Sequence, residues 1–525
     1  MYGKVKSACL LGIEGQIIEV EVDISSGLPQ INLVGLPDSA IRESVERVRA
    51  AIKNCSYSFP MDRITVNLAP ADLKKEGSSF DLAIATGILV TSGQIVLPNL
   101  ETTLLLGELA LDGTLRPIPG VLSMVHAAKA AGMDHIVLPL QNAAEAKLIT
   151  GVTVYGICNL TELKSISSGE WEQRTDYLIN NLNHTTPKLG ESSERSERLQ
   201  EDYADVSGQH QVKRAVMIAA AGKHNILLIG PPGTGKTMLI RRMPSILPPM
   251  SDQESLEVTQ IYSASGKLLD KGAFMRIRPF RAPHHTVSAA GLVGGGSVPK
   301  PGEVSLAHRG VLFLDELPEF SRNVLEVLRQ PLEDRTVTIG RARAVFSFPS
   351  QFILATAMNP CPCGYFGAES DTHPCTCSPM KIQHYRSKIS GPLLDRIDLH
   401  VEVPKPNYEH LQEVQPSLSS GEMAAKVLLA HRRQLTRYAD IGITSNSELT
   451  GKLLRRTCLL SKDSEELLRI SFETMGLSPR AYERILRLSR TIADLEEQDA
   501  ITSEHVAEAI QYRNLDKKLV QGSVV

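Results

Sequence analysis

The chain has 525 residues, 42% of them hydrophobic and 22% charged, with a formal net charge of −3. A chain this long exceeds what one hydrophobic core organises, so roughly two to four domains are expected. No apolar run approaches the ~20 residues that span a bilayer, and Met1-Tyr-Gly-Lys-Val-Lys lacks a signal-peptide core, so a cytoplasmic chain without a membrane segment is expected. The near-balanced charge excludes a surface coated in basic residues, and nucleic acid would have to meet a local pore or groove. The eight cysteines, four of them crowded between Cys361 and Cys377, do not make a disulfide framework and fit a reducing compartment.

From Met1 to about Ser168 the pattern is mixed α/β. Apolar alternation over Gln16–Val22 and the runs Ile31–Val34 and Arg63–Leu68 predict strands. Pro37-Asp38 opens a helix, with Asp38 as N-cap and Ile41, Val45, Val48 and Ile52 along one face. The run Leu104–Leu111 predicts a strand that turns at Asp112-Gly113 into a hairpin. Residues 171–201, most clearly from about Thr175, are polar with few apolar positions, as in an exposed linker.

An ATPase core is expected over residues 202–404. The apolar run Asn225–Ile229 reads as a buried strand, and Met238-Leu-Ile-Arg-Arg has helical character. Between them lies Gly230-Pro231-Pro232-Gly233-Thr234-Gly235-Lys236-Thr237. Strand, glycine-rich loop and helix together are the context in which G-x-x-x-x-G-K-[ST] is a P-loop. Its backbone N–H groups cradle phosphates, Lys236 reaches the β- and γ-phosphates of ATP, and the Thr237 hydroxyl holds Mg²⁺. A second apolar strand, Gly310–Leu314, delivers Asp315 to the Mg²⁺ shell and Glu316 to polarise the attacking water. A third, Gln351–Ala357, delivers Asn359, whose amide orients the same water without adding charge.

Two segments interrupt this core. Arg276–Gly302 is rich in Gly and Pro and carries Arg276, Arg278, Arg281, His284, His285 and Lys300, with a flexible tip expected at Gly294-Gly-Gly296. Adjacent histidines point apart on a strand, so hydrogen bonding within the segment is expected rather than metal binding. Arg335–Phe348 reads as a hairpin turning near Gly340, bringing Arg335, Arg341 and Arg343 together. Cations there meet a phosphate backbone without reading sequence, or else serve subunit interfaces or solvated strand faces. Cys361-Pro-Cys363 and Cys375-Thr-Cys377 can close a tetrahedral Zn²⁺ site, with His373 as a substitute ligand, or remain reduced structural thiols. A closed four-thiolate site leaves no open position for catalysis. After a break at Pro404 to about Ser420, helical periodicity continues to the C-terminus, strongest over Ala481–Leu495 with Ile485, Leu488 and Ile492 on one side.

These elements resemble an AAA+ ATPase of the magnesium-chelatase-like ComM/YifB family. Phe280-Arg-Ala-Pro-His-His-Thr-Val-Ser288, Pro301-Gly-Glu-Val-Ser-Leu-Ala-His308 and Ser390-Gly-Pro-Leu-Leu-Asp-Arg-Ile-Asp-Leu-His400 carry the resemblance, which covers nearly the whole chain except the linker. It implies an α/β fold: a Lon protease-like (ribosomal S5 domain 2-like) domain over 1–170, a P-loop AAA+ parallel-sheet domain over 202–404, and a helical lid over 405–525. By the same resemblance Asn359 is sensor 1, Arg396 is an arginine finger that reaches a neighbouring subunit's ATP, and Arg480 is sensor 2. A donated guanidinium stabilises charge developing on the γ-phosphoryl oxygens. A finger supplied in trans implies a ring, and the family implies a hexamer. The two insertions are similar to a helix-2 insert and a pre-sensor-1 hairpin that project into a ring's pore, with DNA contacts expected from Arg281, Lys300, Arg335, Arg341 and Arg343.

Glu76-Gly-Ser-Ser-Phe-Asp81 matches the segment carrying Lon's serine, which falls on Ser79 as a helix-start residue. The position of Lon's lysine, after Arg116-Pro-Ile-Pro-Gly120, falls on Leu122. A serine without a base is a weak nucleophile, so no peptidase activity is expected. The family implies an ATP-driven translocase or helicase on single-stranded or branched DNA, promoting branch migration during natural transformation. The alternatives are a chelatase-type motor remodelling a protein client and an ATP-dependent protease.

Overall fold

The computed structural model describes residues 1–166, 175–176, 201–270, 272–296, 299–341, 344–367, 374–405 and 418–513. The chain divides into two units, residues 1–189 with 252–275, and residues 190–251 with 276–525.

The first unit is built on a seven-stranded mixed sheet, in the order Gln30–Val34, Arg63–Ala69, Glu14–Ser25, Tyr2–Leu11, Thr103–Leu105, His135–Pro139, Thr153–Ile157. Successive side chains of a strand point to opposite faces, and the core splits accordingly. Val5, Leu105 and Val137 join a cluster with Ile41, Val48 and Ile52, while Ala8, Leu104 and Ile136 join one with Val121, Val125 and Ala128. Asp38 caps the helix Ser39–Asn54, its carboxylate accepting from the Ile41 amide at 2.8 Å. Leu104–Leu111 is not one strand. Gly107 (φ +151°) breaks it, donating to the Ser79 carbonyl and accepting from the Leu82 amide, and Glu108–Leu109 forms a separate two-stranded ribbon with Leu115–Arg116. The hairpin turn itself lies at Asp112-Gly113, where Asp112 accepts from the Thr114 amide at 3.0 Å.

Thr175, expected at the linker's start, is buried, and its hydroxyl accepts from the Gly156 amide; Asp176 pairs with Lys147, and linker residues 171–174 and 177–200 lie outside the described ones. Residues 252–275, which interrupt the span of the ATPase core in sequence, group with this first unit. Leu256 and Phe274 pack on its second cluster, and the Ser263 hydroxyl donates to Glu145.

The second unit carries a five-stranded parallel sheet ordered Phe280–Arg281, Val311–Leu314, Ile353–Met358, Ile226–Ile229, Leu399–Glu402. Every residue of Ile226–Ile229, Val311–Leu314 and Ile353–Met358 is buried, as the unbroken apolar runs of a parallel sheet covered on both faces require. The first strand in sequence stands between the third and last in sequence of the other four, so the connection leaving it and the connection leaving its neighbour Ile353–Met358 run in opposite directions across the sheet. Such a switch point opens a crevice at the carboxyl ends of the strands, and the P-loop begins there. Among the described residues beyond Ser419 the main elements are helices: Ser420–Arg437, Gly451–Thr457, Lys462–Met475, Pro479–Leu495 and Ser503–Gln511. Ser478 caps the fourth of these, and its Ile485, Leu488 and Ile492 are fully buried. The fold class expected from the sequence, α/β with a parallel-sheet ATPase module and a helical C-terminal region, is the one observed. Among the described residues no helix is long and apolar enough to cross a membrane.

Candidate active site

The loop after Ile229 is shaped by glycines. Gly230 lies so near the Leu399–Glu402 strand that a Cβ would stand 2.3 Å from the Val403 carbonyl oxygen, and Gly235 has φ +83° at the start of the helix Lys236–Arg241. Lys236 is buried, its ammonium donating to the carbonyls of Gly230 (2.7 Å) and Pro231 (2.8 Å) and to Asn359 Oδ1 (3.2 Å). Burial lowers its pKa, and Asp315 pulls in the other direction.

The Thr237 hydroxyl donates to Asp315 Oδ2 at 2.7 Å. A hydroxyl beside a carboxylate is a hard-oxygen pair that suits Mg²⁺. Glu316 is exposed and takes a left-handed backbone conformation (φ +53°), its carboxylate 3.7 Å from His285 Nδ1. Lys236 with Asn359, and Thr237 with Asp315, thus form two hydrogen-bonded pairs linked through the adjacent Lys236 and Thr237, with Glu316 next to Asp315 along the chain.

Arg396 and Arg480 gather elsewhere. Arg396, 9% exposed, donates to the Pro392 carbonyl at 2.6 Å and pairs with Glu333, whose carboxylate also lies 3.8 Å from Arg480. Both line a cavity of about 350 Å³ with Lys223, Glu333, Arg484 and Arg487, and no residue from Gly230–Thr237, nor Asp315, Glu316 or Asn359, contributes to it. Asp398, also in its wall, lies 3.3 Å from Arg484 and 3.6 Å from His224. Burial would raise the Asp398 pKa, but His224 and the guanidinium charges outweigh it and hold the carboxyl well below the usual range.

The expected DNA-contact residues separate. Arg281 forms a two-pronged pair with Glu303 at 2.6 and 2.9 Å. Arg335 pairs with Glu448 at 2.5 Å and sits at the base of the hairpin, where Thr336 faces Pro349. The strands Thr336–Arg341 and Ala344–Pro349 run past Gly340, which pairs with Val345, so the turn falls beyond Arg341 and not at Gly340. Arg335 and Arg341 therefore stand at opposite ends of a six-residue strand, roughly 20 Å apart at ~3.3 Å per residue. Arg343 lies outside the described residues, and Lys300 is exposed. Arg278 is buried against the carbonyls of Pro248, Pro249 and Arg309.

The triglycine forms a ribbon, Gly294–Gly295 pairing with Lys300–Pro301; a Cβ on Gly294 would meet the Lys300 carbonyl at 2.5 Å. His284 and His285 are not on a strand. Their ring centres lie 4.0 Å apart with the planes tilted by 34°; His284 bonds Thr286 within the segment, while His285 faces Glu316. Glu333 is the neighbour of Arg396 and Arg480 that the sequence alone does not single out, because it is one polar residue whose partners are remote in sequence.

Cys361, Cys363, Cys375 and Cys377 place their sulfurs within 4.8 Å of one another; His373 lies outside the described residues. In the first unit the Ser79 hydroxyl donates to the Ala8 carbonyl at 3.2 Å and does not cap the helix Asp81–Thr91. Leu122 is fully buried.

Three family profiles match: magnesium chelatase subunit ChlI over residues 202–411, the subunit ChlI of Mg-chelatase over 20–142, and the ChlI C-terminal region over 417–513. The uncharacterized protein YifB of Salmonella typhimurium is 41% identical over 98% of each chain. The competence protein ComM of Haemophilus influenzae is 42% identical, again over 98% of each. Lon protease 2 of Bacillus subtilis is 26% identical over 166 residues, 28% of this chain and 30% of that one.

Proposed function

Because this chain belongs to the ComM/YifB family of magnesium-chelatase-like AAA+ ATPases, we propose that it is a ring-forming, ATP-driven DNA translocase that promotes branch migration in recombination during natural transformation. ATP binds on Gly230–Thr237, with Lys236 on its terminal phosphates, Thr237 and Asp315 on Mg²⁺, and Glu316 and Asn359 around the attacking water. Arg396 and Arg480 complete the site from a neighbouring subunit. The observation that carries this reading is their convergence on Glu333, in a cavity that no P-loop residue lines. Heterologous contacts of this kind close into rings, here a hexamer, acting in the cytoplasm.

Single-stranded or branched DNA passes the exposed Lys300 and the hairpin end that carries Arg341 and Arg343. Arg281 and Arg335, held by Glu303 and Glu448, shape those elements. Zn²⁺ occupies the four-cysteine cluster. The competence name of the Haemophilus relative supports the link to transformation. The chelatase profiles favour a second reading, a motor that remodels a protein client.

ATP hydrolysis measured with and without single-stranded and forked DNA, beside Lys236→Ala, separates the two. Strong stimulation is expected. Lys236-dependent hydrolysis that ignores DNA at low salt would sink the translocase and favour the protein client.

A further inference from the structure

The cysteine cluster stands directly against the nucleotide site. Three of its sulfur separations are 3.3 Å (Cys361 to Cys363), 3.6 Å (Cys363 to Cys375) and 3.9 Å (Cys361 to Cys375). A tetrahedral ion with Zn–S bonds of about 2.3 Å needs sulfurs about 3.8 Å apart, so the cage already has the right size. Cys361 is fully buried, and the Phe366 amide points at its sulfur from 3.4 Å, the backbone support that metal thiolates receive.

Both ends of this loop lead to ATP-site residues. Cys361 follows Asn359 by two positions. Gly364, inside the first cysteine pair's turn, has φ +89°, and a Cβ there would stand 2.7 Å from Pro232 Cδ in the P-loop. At the far end, Ser378 caps the helix Pro379–Ser387 straight after Cys377. That helix returns to the sensor: the backbone N–H of Asn359 faces the buried Tyr385 hydroxyl, and Arg386 donates to the Pro360 carbonyl at 3.1 Å. Arg386 also lies over the Phe366 ring, 5.3 Å from its centre.

We propose that a thiophilic divalent cation, Zn²⁺, held by Cys361, Cys363, Cys375 and Cys377, is the brace that fixes the P-loop and Asn359 in their working positions, so that metal occupancy sets nucleotide affinity. The four thiolates close a loop rich in Gly and Pro that has little apolar content to order it. With the ion bound, Gly364 presses on Pro232 and the Tyr385 helix holds Asn359. Without it, both contacts hang on an unclosed loop. The proposal rests on the nucleotide site described above, and the metal is structural with respect to the reaction.

The test uses the full chain purified in reductant. Metal analysis should find one Zn²⁺ per chain, and Co²⁺ exchange should give the absorption of a four-thiolate site. Binding of a fluorescent ADP should weaken roughly tenfold or more when the metal is stripped, a loss of about 1.4 kcal/mol, and return with Zn²⁺ but not with Mg²⁺. Gly364→Ala should keep the metal and show a similar loss, which decides the matter even where the stripped chain unfolds. No bound metal, or a Co²⁺ spectrum without thiolates, overturns the site. Metal bound as expected, with nucleotide affinity unchanged in both the stripped chain and Gly364→Ala, overturns the brace alone. Nucleotide binding that is absent from the loaded wild-type chain overturns the ATP reading instead.

Discussion

Glu316 holds a left-handed backbone conformation that costs a non-glycine residue roughly 1–2 kcal/mol, and it faces His285 rather than Lys236. Its carboxylate thus stands 3.7 Å from His285 in the insertion that precedes it. If Glu316 is the base for hydrolysis, Glu316→Gln should bind nucleotide normally while turnover falls about 10²- to 10⁴-fold; equal losses in binding and turnover would argue for a structural role. Asp81 offers a second residue-level expectation. It is fully buried, and burial pushes its carboxyl up to about 6 although Arg47 donates to it at 2.9 and 3.2 Å. A folded value above the unfolded 3.8 means that the folded state holds the proton more tightly. The stability from this group is present below about pH 4 and is lost as pH rises through about 6, at most about 3 kcal/mol. Wild-type melting should therefore fall over that window relative to Asp81→Asn, and parallel profiles for the two would refute the assignment.

Among the elements, the hairpin Thr336–Pro349 divides labour along its length. Its base is packed by Val337 and Phe348, and Arg335 there is tied to Glu448, whereas Val345 nearer the turn is exposed. Arg341→Ala with Arg343→Ala should leave basal hydrolysis intact, weaken DNA stimulation, and lower the salt slope of DNA binding by about one per lost phosphate contact. Arg335→Ala should instead lower thermal stability with the salt slope unchanged. The same contrast marks what the sequence could tell. Asp38 capping and the Ile41, Val48, Ile52 spacing made the first helix legible because they act within a few residues. The parallel strands were legible as unbroken apolar runs. Arg278, Arg281 and Arg335 look alike in sequence, and only pairing with distant carbonyls, Glu303 or Glu448 distinguishes them. The turn expected near Gly340 comes just past Arg341, because register is set by cross-strand packing, not by the glycine.

For the whole molecule, the proposed division of the ATP machinery between neighbouring subunits has a consequence that the composition of mixed rings can expose. Lys236→Ala removes the phosphate-binding amine but leaves Arg396 and Arg480 in place. Arg396→Ala does the reverse. Each variant alone should be nearly inactive, since one lost transition-state donor costs about 10²- to 10³-fold. In a ring mixed in equal parts, half of the subunits keep a working P-loop, and half of their neighbours keep Arg396. Random assembly thus restores roughly a quarter of wild-type hydrolysis, through interfaces built from two different defective subunits. If Arg396 served its own subunit's nucleotide, every site in the mixture would lack one group and no activity would return. Hydrolysis by the two variants, assayed separately and after mixing with nucleotide and DNA, reads this directly. A recovery that rises and falls with the mixing ratio, greatest near equal parts, is expected because the productive interface needs one subunit of each kind.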